Sequence, residues 1–248
     1  MNETKDPLKG SYCYEYPRPA VTSDCVIFGF DGCSLKILLI ERGLEPFKGF
    51  WALPGGFMRM NESIEECAAR ELREETSVKE IYLEQFKVFS APGRDPRGRV
   101  MTVAFIALVR PADYIPAAGD DASRAAWFDT TELPLLAFDH SQIIEEALQH
   151  LRALIRVRPV AFNLLDREFS PDMLRKLYEV VNGTRYDRRN FTRKLQQSGI
   201  VEEAGDSRPK LFRLRNRAQS RSGQQLSSEL PEASSPKEDS SIKNLFDF

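Results

Sequence analysis

The sequence predicts an α+β protein, in which a larger domain with a mixed sheet precedes a small domain of two helices and a two-stranded hairpin. Strand-like and helical patterns alternate over residues 20–159, whereas residues 160–217 show helix, helix, strand, strand. The charge changes sign at the same place. Residues 1–159 contain 19 Lys and Arg and 24 Asp and Glu, whereas residues 160–217 contain 13 basic and 8 acidic residues. Residues 218–248 contain 3 basic and 5 acidic residues, which brings the net charge of the chain to -2. We expect a disordered tail there and a short N-terminal extension over 1–19.

Four strands of the first domain are predicted from runs of β-branched and aliphatic residues. Residues 20–30 and 35–41 form one pair, and Asp31-Gly32 between them is typical of a hairpin turn. Residues 82–89 and 100–109 form a second pair around a loop rich in Pro and Gly. Helical spacing of apolar residues predicts helices over 63–75 and 142–157.

The second domain carries clear helix boundaries. Ser170-Pro171 is typical of a helix start, and Asn182-Gly183 of a helix end. Asp187 is a candidate cap for the next helix, which Gly199 ends. The two strands are predicted over 200–204 and 210–215, joined by a polar turn.

The composition excludes several classes of protein. Hydrophobic residues make up 42% and charged residues 29%, which is typical of a folded globular protein. Because no apolar run reaches about 18 residues and the first residues lack an apolar signal-peptide core, we expect a cytoplasmic protein without membrane contact. The four cysteines contain no CxxC pair, and the only histidines are His140 and His150. Carboxylates are therefore the candidates for catalysis.

A cluster of carboxylates marks the helix over 63–75. Glu71, Glu74 and Glu75 stand at i, i+3 and i+4, so a helix places them on one face within a turn. One interpretation is a solvated acidic face paired with Arg70 and Arg73. The other is a site for a hard, oxygen-seeking cation such as Mg²⁺ or Mn²⁺.

The spacing around this cluster resembles the Nudix box, G-x5-E-x7-R-E-U-x-E-E-x-G-U, in which U is aliphatic. The matching residues are Gly56, Glu62, Arg70, Glu71, Leu72, Glu74, Glu75 and Val78. Ser77 stands where the family has glycine, and the preceding segment WALPGG is also similar to the family's approach to the box. The resemblance implies a Nudix fold, an α/β/α sandwich on a mixed sheet, and hydrolysis of a nucleoside diphosphate linked to another group.

The same resemblance implies roles for the box residues. Gly56, Glu71, Glu74 and Glu75 would ligate Mg²⁺ or Mn²⁺, and Arg70 would orient the carboxylates by pairing with Glu62. Serine at position 77 would cost about 1 kcal/mol where glycine serves the helix end, and would leave metal ligation intact.

Substrate contacts are predicted in two places. Arg94, Arg97 and Arg99 lie in a glycine-containing loop suited to phosphates, and its DPRGR stretch resembles ADP-ribose-directed Nudix domains. An ordinary charged hairpin loop is the alternative. Phe47 and Trp51 are candidates for stacking on adenine, with a place in the core as the alternative.

The basic second domain has the outline of a winged helix-turn-helix. Its second helix carries cations and a polar side chain suited to phosphates and base edges of double-stranded DNA: Arg188, Arg189, Asn190, Arg193 and Lys194. Arg208 and Lys210 belong to a candidate basic wing. A small cap with a solvated charged surface is the alternative.

Both domains together, over roughly residues 17–215, resemble the Nudix-related transcriptional regulators. The residues that carry this resemblance include Phe169, Tyr178, Asp187, Phe191 and Gly199. It implies a homodimeric, DNA-binding regulator whose Nudix domain binds ADP-ribose or a related phosphorylated metabolite and retains the residues for hydrolysis. The alternative is a metal-dependent Nudix pyrophosphohydrolase of the ADP-ribose type whose second domain is a structural or dimerisation cap. A third possibility is that the final IKNLFDF segment docks on a partner or on the body of the protein.

Overall fold

The computed structural model describes residues 15–75, 81–113, 122–205 and 210–215, without the side chains of residues 75, 122 and 123. Most of the N-terminal extension, Ser77, Val78, Arg208 and the tail with its IKNLFDF segment lie outside these residues. The predictions made for them stay predictions.

The described residues of the first domain form one mixed sheet of seven strands. The strands are β1 Ala20–Phe30, β2 Leu35–Arg42, β3 Trp51–Ala52, β4 Gly55–Phe57, β5 Tyr82–Phe89, β6 Val100–Leu108 and β7 Ala122–Asp129. Strand order is β3-β2-β1-β6-β5, with β4 beside β1 and β7 beside β2. The two predicted strand pairs, β1 with β2 and β5 with β6, are confirmed and antiparallel, whereas β1 and β6 run parallel.

Within the described residues, a helix packs on each face of this sheet. Because side chains of a strand alternate between faces, β1 supplies both cores: Cys25 and Ile27 pack with helix α1 (Ile64–Glu75), and Val26 and Phe28 pack with helix α2 (His140–Val157). The predicted three-layer arrangement on a mixed sheet is confirmed.

The second domain has the predicted order of elements. It contains α3 (Pro171–Asn182), α4 (Arg188–Gln197) and the antiparallel strands β8 (Val201–Glu203) and β9 (Phe212–Leu214). The predicted caps are confirmed: the Ser170 and Asp187 side chains accept backbone N–H groups of the first turns, and Gly183 ends α3 with a φ of 65°.

A short 3-10 helix, Pro159–Leu164, joins the domains, and their apolar cores are continuous. The Tyr178 hydroxyl on α3 donates to the Ile155 carbonyl of α2 over 3.2 Å, and the Arg152 guanidinium donates to the Val181 carbonyl over 2.7 Å. Helix α2 therefore contacts both the sheet and the second domain. No helix in the described ranges has the length and apolar character needed to cross a membrane.

Three strands were absent from the sequence-based prediction. Strands β3 and β4 have only two and three residues, too few for an alternating pattern to register. Strand β7 carries no strong alternation and is held by pairing with β2. Helix α2 begins at His140, two residues before the predicted start, because the polar pair His140-Ser141 precedes its apolar face.

Candidate ligand site and nucleic-acid interface

Helix α1 begins with a reciprocal pair of caps that fixes the end nearest the glycine loop. The Glu66 N–H donates to the Ser63 hydroxyl over 3.2 Å, and the Ser63 N–H donates to the Glu66 carboxylate over 2.7 Å. This arrangement satisfies backbone donors that a helix start leaves unpaired. The helix is thereby anchored directly after the loop that carries Gly56.

Arg70 bonds to three carboxylates, one from the loop before α1 and two from α1 itself. Its guanidinium donates to both oxygens of Glu62 over 2.8 and 3.0 Å, to Glu71 over 2.6 Å, and to Glu74 over 3.4 Å. These bonds to Arg70 lower the pKa of Glu62 to about 2. The arginine therefore keeps Glu62 ionised and gathers Glu71 and Glu74 beside it.

Gly56 faces the Glu71 carboxylate at very short range. A Cβ atom at position 56 would lie 2.1 Å from the Glu71 Oε1 atom, so any side chain here would force the Glu71 carboxylate to move. Burial of Glu71 raises the pKa of its carboxyl group, because an apolar environment disfavours the charged form. The glycine of the box thus provides the space for a half-buried carboxylate.

The chemistry of this group suits a divalent metal ion, which Nudix hydrolases in general use. The candidate donors are oxygens, the Gly56 carbonyl with the Glu71 and Glu74 carboxylates, and hard cations prefer such ligands. Glu75 is the last residue of α1, and its side chain lies outside the described part. Within the described residues no three acidic, Cys or His side chains are already gathered as a metal site. A metal ion would compete with Arg70 for Glu71 and Glu74.

The three loop arginines point to different partners, so the structure does not bring them together as one phosphate grip. Arg94 is 4% exposed and donates to Asp139 over 2.6 and 2.8 Å and to Asp24 over 3.3 Å. Arg97 is bound to Asp95, and Arg99 donates to the Ser90 carbonyl. Arg94 is therefore a buried structural residue, because both carboxylates already occupy its guanidinium.

A buried polar network lies beneath the glycine loop. The Leu53 N–H donates to the Nδ1 atom of His140 over 2.8 Å, and the Nε2 atom of His140 lies 3.8 Å from Asp24. Burial lowers the pKa of His140, which favours the neutral imidazole. Asp24 also pairs with Gly55 in the sheet. The network therefore joins the loop, strand β1 and the first turn of α2.

The predicted stacking residues pack on different aromatic neighbours. Trp51 is 9% exposed and packs edge to face on Phe128, so it belongs to the core. Phe47 has a φ of 66° and packs edge to face on Phe138. The more exposed ring is that of Phe57, next to Gly56, which is 45% exposed and lies 5.0 Å from the Arg97 guanidinium.

Helix α4 presents its charged face to solvent because its apolar residues, Phe191 and Leu195, are buried against α3 and the hairpin. Arg188 is 74% exposed and forms an ion pair with Asp172, whereas Arg193 donates to the Asn190 side chain. Arg189 is exposed and has no ion pair or side-chain hydrogen bond within the described residues. Lys194 is half-buried.

A shallow cavity of about 590 Å³ lies between α3, α4 and the hairpin. Four of its lining residues are cations, and they come from α4 and the hairpin: Arg188, Arg189, Arg193 and Lys210. Lys210 donates to Glu203 over 2.8 and 3.0 Å, and Arg213 donates to Glu202 over 2.7 Å. Two carboxylates of the hairpin therefore offset the positive charges of Lys210 and Arg213.

Several residues of the ligand site were not predicted from the sequence. Asp24 lies in β1, whereas the adjacent residues Asp139 and His140 lie at the start of α2, and no local pattern indicates that these two segments meet. Phe57 could have been found from the sequence, because it is an aromatic residue that directly follows the pair Gly55-Gly56. Cys67 lies on the buried face of α1, where burial raises the pKa of its thiol to about 11, so the thiol stays protonated.

Comparison with known proteins assigns both domains. Residues 18–151 match the NUDIX domain family, and residues 161–214 match the NrtR DNA-binding winged helix domain family. The chain is similar to the ADPR responsive transcriptional repressor NtrR of Acinetobacter baylyi, with 35% identity over 199 residues, 78% of this chain and 79% of the relative.

A solved structure and a second relative extend this result. The structure of Shewanella oneidensis NrtR complexed with a 27mer DNA is 30% identical, has a TM-score of 0.71, and matches over 81% of this chain and 95% of its own. The ADP-ribose pyrophosphatase of Methanocaldococcus jannaschii is 44% identical over 134 residues, 54% of this chain and 76% of the relative. The chain therefore belongs to the Nudix family, in the group whose Nudix domain is followed by an NrtR winged helix domain.

Proposed function

We propose that this protein is a DNA-binding transcriptional regulator of the repressor type, whose Nudix domain binds ADP-ribose or a related nucleoside diphosphate. The observation that carries this proposal is that one chain holds both the carboxylate site at Gly56 and an exposed basic α4, in two domains that share a continuous apolar core. The similarity to the repressor NtrR supports it, because it spans both domains.

Helix α4 is the element that would enter the major groove. Its exposed Arg189 is free to contact a phosphate or a guanine edge, and Asn190 offers a side chain suited to adenine. Two copies of α4, held about 34 Å apart in a homodimer, would meet successive turns of the same face of DNA. Such a regulator works in the compartment that holds the chromosome, which agrees with a cytoplasmic location.

The ligand would bind beside Gly56 and the carboxylates in the second half of α1. A divalent metal ion, Mg²⁺ or Mn²⁺, held by the Gly56 carbonyl and by Glu71, Glu74 and Glu75, would neutralise the pyrophosphate and lower the pKa of a nearby water. The Phe57 ring and the Arg97 guanidinium above it offer an exposed surface for a purine. Arg94 supports this site from below through Asp24 and Asp139.

A second candidate function is hydrolysis of the same ligand. The retained carboxylates Glu71 and Glu74 favour it, and so does the similarity to an ADP-ribose pyrophosphatase. Water would attack one phosphorus of ADP-ribose and break the bridging P–O bond, releasing AMP and ribose 5-phosphate. Binding and turnover are compatible in one site, so a regulator that also degrades its ligand is consistent with the same residues.

The regulator is tested by electrophoretic mobility shift of the full chain on DNA from its own promoter region, with and without ADP-ribose. We expect binding that ADP-ribose changes, and a strong loss in Arg189→Ala. Arg156→Ala is the matched control, because it removes an exposed cation from the end of α2, away from α4. Binding that ignores Arg189→Ala would contradict the assignment of α4 as the DNA-reading helix.

Hydrolysis is tested by following AMP release from ADP-ribose with Mg²⁺ or Mn²⁺. We expect Glu74→Gln to abolish any turnover, whereas Glu65→Gln, on the first turn of the same helix, retains it. Turnover without DNA binding would identify an enzyme with a structural second domain. Ligand-dependent DNA binding without turnover would identify a sensor.

A further inference from the structure

Two of the four cations that line the cavity between α3, α4 and the hairpin are paired with carboxylates of the same domain. We propose that Asp172 and Glu203 restrain Arg188 and Lys210 and thereby lower the affinity of this protein for the DNA backbone. This inference rests on the DNA-binding function proposed above. It assigns to two acidic residues a role in setting how strongly the protein binds any duplex.

Asp172 faces the cavity that the DNA backbone would approach. It lies on the first turn of α3, and its Oδ2 atom is 2.5 Å from the Nη2 atom of Arg188 on α4. Asp172 is the acidic residue among the described residues that line the cavity, where it stands against four cations. A second arginine, Arg175, lies 3.6 Å from Asp172 but donates to Glu179 over 2.6 Å, so Arg188 has the closest contact.

Glu203 repeats this arrangement on the hairpin. It accepts both short hydrogen bonds from Lys210, a cation that lines the same cavity. Two of the four cavity cations are thus paired with carboxylates on different elements. Because two separate pairs occur, the pairing does not depend on one contact at this cavity.

Each pair reduces backbone affinity in two ways. A cation that is already paired neutralises less phosphate charge, so fewer counterions are released from the DNA on binding. The carboxylate also places a negative charge close to the phosphates. Since the four side chains are between 35% and 74% exposed, the pairs are not locked by burial, and removal of the carboxylate frees the cation.

Restraint of backbone affinity suits a regulator that must be released by a small molecule. A ligand changes affinity for DNA only by its coupling free energy, which is typically equivalent to a factor of about 5 to 150. Each cation that is freed would raise the affinity for the backbone, so the same coupling factor would leave more of the DNA site occupied. Asp172 and Glu203 therefore favour release of the DNA by the ligand.

The test compares full-length Asp172→Asn and Glu203→Gln with Asp166→Asn, by fluorescence anisotropy on a labelled duplex of scrambled sequence over a salt series. Each test variant is expected to bind about 3- to 10-fold more tightly and to steepen the slope of log K against log salt by about 0.9, the value for one more phosphate neutralised. Asp166→Asn removes the same charge from the same domain, but Asp166 is 79% exposed, bonds to Arg110 and does not line the cavity. It is expected to match the wild type.

A double-mutant cycle identifies the cation involved. If Asp172 acts through Arg188, the gain in Asp172→Asn disappears when Arg188→Ala is already present, whereas a general charge effect would persist. Persistence of the gain overturns the inference for Asp172. Glu203→Gln gives an independent result should Asp172→Asn weaken the start of α3.

The outcomes separate this inference from the proposed function. A wild-type protein that binds the duplex with a clear salt slope, while both variants match Asp166→Asn, overturns the inference and leaves the DNA-binding function standing. A wild-type protein without measurable binding to the scrambled duplex or to promoter DNA overturns both.

Discussion

Replacing Arg94 with methionine tests whether the buried network holds the glycine loop to α2. The change keeps much of the side-chain volume but removes the cation between Asp24 and Asp139. Their side chains are 11% and 19% exposed and Arg94 is 4% exposed, so both carboxylates would stay in a poorly hydrated site without a partner. Removing one member of a buried ion pair costs about 3–5 kcal/mol, and we expect a loss in that range in the free energy of unfolding.

The assay is urea unfolding followed by circular dichroism, with Arg99→Met as the control. Arg99 lies in the same loop but is exposed, and within the described residues its side chain bonds only to the Ser90 carbonyl, so its replacement should cost less than about 0.5 kcal/mol. In the double variant Arg94→Met with Asp139→Asn, part of the loss should return because one unpaired charge is gone. If the free energy of unfolding of the single Arg94→Met variant lies within about 1 kcal/mol of the wild-type value, the ion pairs do not stabilise the loop as described, because two unpaired buried carboxylates would destabilise the protein by more than that.

Three further predictions concern the box and the second domain. Gly56→Ala should weaken Mn²⁺ binding about 10- to 100-fold by calorimetry, because the new Cβ displaces the Glu71 carboxylate, and unchanged binding would contradict the metal site. The pKa of Glu62 falls from 4.5 to about 2 on folding, so its contribution to stability is present above pH 4.5 and lost as pH falls towards 2. Glu62→Gln should therefore reduce the pH dependence of stability in this range. An acid-unfolding profile identical to that of the wild type would contradict this role of Glu62. Ser170→Ala should cost about 1 kcal/mol in urea unfolding through loss of the bond to the Met173 N–H, and a cost near zero would show that the cap is replaceable.

Sequence patterns were sufficient where the interaction is local. The hairpin turn after β1, the caps at Ser170 and Asp187, and the carboxylates on one side of α1 depend on residues within one or two turns of each other. The spacing of the box residues and of the winged-helix residues also sufficed for the family resemblance. In each case the chemistry and the spacing stand together in the chain.

Tertiary structure decided which charged groups meet. Arg94 was expected among the phosphate-binding residues, but two carboxylates, 70 residues before it and 45 after it, enclose its guanidinium. The same holds for the pairing of Arg188 with Asp172 and for the space that Gly56 leaves for Glu71. Ion pairing and burial depend on distances that only packing fixes, and a sequence states which residues carry charge without stating which opposite charge lies beside them.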